Sequence, residues 1–100
     1  MFLYIGCNGM VSAIDPYRGG EVWRTPLHAG VFGRARMDVC VLEHQGMVFA
    51  GCNGHLFALD GRTGQILWHN ELQGMGFNDV TLAMAGQSVQ FVAHHSTSQS

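Results

Sequence analysis

One hundred residues allow at most one domain, and with 12% charged against 47% hydrophobic residues, apolar faces are left that one copy of the chain does not cover. The formal charge of −2, carried against five arginines and no lysine, excludes the electrostatic footprint of a nucleic-acid or anionic-membrane partner. No apolar run approaches the ~20 residues of a spanning helix, and the opening MFLYIGCNG lacks the basic region and long apolar stretch of a secretory leader, so the cytoplasm is the expected location.

In chain order, residues 2–7 (FLYIGC) read as a strand closed by Asn8-Gly9, a dipeptide that favours positive φ in a tight hairpin turn. Residues 10–15 (MVSAID) are the return strand. The run from Asp15 to Gly20 is a second turn, in which Pro16 fixes φ and the Asp15 side chain is placed to accept from backbone N–H groups just downstream. A third strand is expected at 21–27. From 28 to 37 alternation fades into a loop holding Arg34 and Arg36, read as solvated charges. Four strands then follow at about 38–43, 46–52, 54–60 and 65–71, each break carrying glycine or asparagine. The runs MVFA and LFAL place apolar side chains on both faces of a sheet, which must therefore be sandwiched. After a linker at 73–78, strands at about 79–85 and 88–93 open a third unit, and residues 96–100 are expected to be disordered.

The segment Gly6–Trp23 returns 45 residues later as Gly51–Trp68. Both copies carry A-x-D-x-x-x-G-x-x-x-W, through Ala13, Asp15, Gly19 and Trp23 and again through Ala58, Asp60, Gly64 and Trp68. A period of this size signals a propeller or solenoid. The sequence is thus expected to be all-β, built of four-stranded antiparallel propeller blades, about two per chain. Blade 1 covers about 2–27, blade 2 about 38–72 and a partial third unit about 79–93, all within a repeat region at 1–95.

At these residues the chain resembles the pyrroloquinoline-quinone-like repeat family, also called quinoprotein alcohol dehydrogenase-like propellers. The eleven-residue pattern looks like that family's tryptophan-docking motif. The resemblance implies that Trp23 and Trp68 lie flat between adjacent blades, beside the small Ala and Gly of the motif, while Asp15 and Asp60 hold turns. All eight residues are then architecture, and no catalytic residue is assigned. Some members are quinone-dependent dehydrogenases with a calcium ion, and others are non-catalytic scaffolds. This chain has no adjacent cysteine pair, so no PQQ or calcium site is carried onto any residue, and no cofactor is expected. The alternative is that the chain forms part of a PQQ-dependent dehydrogenase.

The three cysteines, Cys7, Cys40 and Cys52, lack metal spacing and are expected to be buried reduced thiols. The six histidines, His28, His44, His55, His69, His94 and His95, show no pair at a ligand spacing in sequence, and no metal site is expected. Adjacent residues on a strand point to opposite faces, so His94 and His95 are not a chelating pair. Propellers close with 4 to 8 blades. The expected partner is therefore the chain itself, three or four copies forming a ring in which the strand at 79–85 of one completes blade 1 of the next. The blade-connecting loops near 28–37 and 73–78 would face a protein or small-molecule ligand.

Overall fold

The computed structural model describes residues 1–28, 38–76 and 80–85. Among the described residues, seven strands form two antiparallel sheets. The first contains β1 (Leu3–Cys7), β2 (Met10–Ile14) and β3 (Glu21–Pro26), in that order. The second contains β4 (Val39–His44), β5 (Met47–Cys52), β6 (His55–Asp60) and β7 (Ile66–Asn70), also in sequence order. No helix occurs among the described residues, and none is long and apolar enough to cross a membrane.

The turns follow from local chemistry. Asn8-Gly9, Gln45-Gly46 and Asn53-Gly54 each place two successive residues at positive φ, the conformation of a two-residue hairpin whose twist matches its strands. At the longer turns, Asp15 Oδ1 accepts from the N–H groups of Tyr17 and Arg18, and Asp60 Oδ1 accepts from Arg62 N–H. Both turns are closed by the glycine four residues on, whose N–H donates to the aspartate carbonyl: Gly19 to Asp15 and Gly64 to Asp60. Just past each turn the register shifts, so that Val22 and Leu67 become the extra residue of a β-bulge and point into solvent.

The sheets stack face to face, with β1 and β2 nearest β4. The core lies between them and is formed by Val11 and Leu27 from the first sheet and Val48, Ala50, Cys52, Phe57 and Leu59 from the second. This is the sandwiching that apolar residues on both faces of β5 and β6 require. The front face of the second sheet is thus covered by the rear face of the first.

Residues 80–85 carry no strand, in contrast to the expectation at 79–85. A strand exists through its ladder, and none of the described residues pairs with this segment. It nevertheless has a defined seat on the rear of the second sheet, where a Cβ added to Gly51 would lie 2.6 Å from Val80. In the same way a Cβ on Gly6 would lie 2.7 Å from Val39 at the start of β4. Residues 80–85 therefore rest on the second sheet as β4 rests on the first. The loop at 29–37, the strand at 88–93, His94, His95 and the tail lie outside the described residues.

Candidate functional site

The seam between the sheets is assembled from one cross-strand row. Tyr4, Ala13 and Trp23 stand opposite one another on β1, β2 and β3. Because Ala13 has only a methyl group and is fully buried, the two aromatic rings meet over it, with centroids 6.0 Å apart. The row then reaches the next sheet. Trp23 Nε1–H donates to the Gly61 carbonyl at 3.0 Å, the Tyr4 hydroxyl donates to the same oxygen at 3.1 Å, and Thr25 Oγ1 donates to the Gly64 carbonyl at 2.6 Å. The indole lies so close to Gly64 that a Cβ there would come within 2.5 Å of it. Gly64 is also at φ +81°, so a side chain is opposed by both backbone conformation and space. Burial, and then the negative charges of Glu43 and Asp60, raise the Tyr4 hydroxyl above its ordinary value of 10.0.

The second copy of the row is Phe49, Ala58 and Trp68. Ala58 is fully buried and Phe49 packs on Trp68 at 6.2 Å, but the indole is 43% exposed. Among the described residues, nothing bonds Trp68 as Gly61 bonds Trp23. Gly19, which corresponds to Gly64, has open space where a Cβ would be, at φ +80°. Of the eight sequence-marked residues, then, Trp23 and Gly64 are brought together across the seam, Asp15 and Asp60 hold turns, and Trp68 and Gly19 face solvent.

At the other end of the stack, the described residues leave the front face of the first sheet open. Leu3, Ile5 and Cys7 of β1 are exposed, and an open groove runs past Ile5, Cys7, Met10, Ser12 and Ile14 to Glu21 and Arg24. Across it, Ser12 Oγ donates to Glu21 Oε2 at 2.6 Å and Arg24 Nε donates to the same oxygen at 2.8 Å. These donors, Arg24 first, hold the Glu21 carboxyl below the usual carboxylate value. The expectation of three buried thiols is corrected here. Cys52 is fully buried, Cys40 is half-buried and Cys7 is exposed, because the sheet that covers Cys52 has no counterpart over Cys7 among the described residues. Burial pushes the Cys40 thiol up, while a hydrogen bond with the Leu82 backbone works the other way.

The sequence reading also missed two features. Gly6 and Gly51 are the points where Val39 and Val80 come down onto a sheet, and the available signal was a glycine inside each strand pattern. The second concerns the histidines. His69 is paired with Phe57 across β6 and β7, which puts His55 on the diagonal, and His55 Nδ1 and His69 Nε2 are 2.8 Å apart. The Phe57 ring stacks on His69 at 4.2 Å and 8°. The His69 value is lowered, first by burial, then by His55, with Glu71 acting in the opposite sense. Among the described residues, no three His, Cys, Asp or Glu side chains converge as a metal-binding group.

A three-stranded and a four-stranded antiparallel meander stacked face to face, the first locked to the second through Trp23, define a repeat module of the β-propeller type. The family model described as outer membrane protein assembly factor BamB, a PQQ-like repeat, matches residues 7–99, and the chain belongs to this PQQ-like repeat family. No curated protein matches it.

Proposed function

We propose that the chain is a non-enzymatic propeller scaffold, a binding module whose bare sheet faces join further copies of itself in a ring of three or four chains. The observation that carries this reading is the pairing of covered and bare faces at one repeat offset. Leu3, Ile5 and Cys7 are exposed, whereas Val48, Ala50 and Cys52, which stand at the same repeat positions, are fully buried under the first sheet. Trp68 is exposed, whereas its counterpart Trp23 is bonded to the next turn. The front of the first sheet and the rear of the second therefore differ in the same way as the two faces that already meet inside the chain. Such a head-to-tail interface propagates until rotation closes it into a ring.

In that ring, residues 80–85 of one copy lie along β1 of the next and supply the fourth strand of its blade. Where the covered face of the second sheet has Phe57, Ile66 and His69, the junction has Ser12, Glu21 and Arg24, a charged set and so a means of selecting partners. Loops at 28–37 and 73–78 present the surface for a protein or small ligand. No cofactor takes part in this reading.

Light scattering on a sizing column tests it. The expected mass is three or four chains, and a monomer at tens of micromolar would overturn the ring. Visible absorbance with PQQ and calcium tests the scaffold role separately: an unchanged spectrum is expected, and saturable binding would move the chain to the dehydrogenases.

A further inference from the structure

His55 and His69 are not part of the repeated architecture. The first copy has Met10 and Arg24 at their positions, and its sheet forms equally well, so the blade has no need of imidazole there. Strand pairing nevertheless brings His55 Nδ1 and His69 Nε2 into a hydrogen bond of 2.8 Å, on the front face beside Phe57 and at its solvent-exposed end. The stack of Phe57 on His69 restricts the second ring in orientation.

We propose that this pair is a binding site for a divalent first-row transition-metal ion, held by His55 Nδ1 and His69 Nε2 with water in the remaining positions. Each ring then carries its proton on the other nitrogen, Nε2 of His55 and Nδ1 of His69. The spacing lets one ion reach both nitrogens. Two nitrogens about 2.0–2.1 Å from a metal are about 2.9 Å apart at a right angle and about 3.4 Å apart at the tetrahedral angle. The observed 2.8 Å is the length of the hydrogen bond that the ion would displace, and the rings open by only about 0.1–0.6 Å to reach either arrangement. A structural zinc site is closed by four protein ligands, whereas two imidazoles open to water suit an exchangeable ion. The Glu71 charge, which already acts on His69, favours a cation.

Nickel(II) is the suitable probe, because copper(II) would oxidise the exposed Cys7. Titration calorimetry of the full chain in a Cys7→Ser background should give one saturable site, weakened about tenfold or more in His55→Gln and in His69→Gln. His44→Gln should leave it unchanged. Proton NMR gives a readout that does not depend on variants: substoichiometric nickel(II) should broaden the ring signals of His55 and His69 before those of any other histidine. Undiminished binding in both Gln variants, or first broadening at another histidine, would overturn the assignment.

Discussion

Trp23 and Trp68 close the same pattern on the same kind of strand, opposite an alanine, beside an aromatic ring and after a bulge. One indole is bonded and pressed onto a glycine, and the other stands in solvent. The contrast separates what the repeat specifies from what its neighbour specifies. Strand pairing, bulge and aromatic contact are internal to each sheet and appear in both copies. Cover and hydrogen bonding come from the following turn, and only Trp23 has one among the described residues.

Substitution at the tryptophans should give the widest difference. Trp23→Ala removes an indole from the seam together with its bond to Gly61 and should cost about 3 kcal/mol or more. Trp68→Ala, measured by denaturant unfolding in solutions dilute enough to keep chains apart, should cost under about 1 kcal/mol. Equal costs in separate chains would mean that Trp68 is covered by the chain's own residues. At concentrations that form the proposed ring, the cost at Trp68 should rise towards that at Trp23.

Gly64→Ala and Gly19→Ala sharpen the comparison from the turn side. Both introduce a side chain at a left-handed φ, at a cost of about 1 kcal/mol. Only Gly64→Ala also drives a methyl group into the Trp23 ring, which should add about 1–3 kcal/mol. Thermal melts of the two variants side by side would show it, and matching midpoints would place the indole elsewhere.

The smallest expected effect is at Tyr4 and Phe49. Tyr4→Phe gives the first row the composition of the second, losing only the hydroxyl bond to Gly61, and should cost about 1 kcal/mol. Phe49→Tyr, with no described acceptor opposite it, should change stability by no more than about 0.5 kcal/mol. A stabilising Phe49→Tyr would reveal an acceptor already in place.

The sequence was informative wherever a structure is made by residues near one another in the chain. Asn8-Gly9 and Asn53-Gly54 announce their turns through backbone sterics, and Asp15 and Asp60 through bonds to groups two and three residues on. Features that depend on register or on a neighbouring sheet were not legible. His55 and His69 are 14 residues apart and meet because β6 and β7 pair with a bulge between Ala58 and Leu59. Cys7 and Cys52 have the same local sequence, Gly-Cys-Asn-Gly, and differ in burial because, among the described residues, only Cys52 has a sheet above it. Local pattern specifies a face, whereas its covering is a tertiary fact.

The Gly61 carbonyl, which receives both the Tyr4 hydroxyl and the Trp23 indole N–H, has a mechanical consequence. Apolar surfaces in contact attract without preferring one alignment, so a seam made of valine and leucine alone would resist separation better than sliding. Two donors from different strands converging on one oxygen, with Thr25 fixed to Gly64 a turn further along, act as a latch on lateral displacement. Under a load parallel to the sheets the first event should be the release of these three bonds together, so the seam should yield in one step instead of creeping.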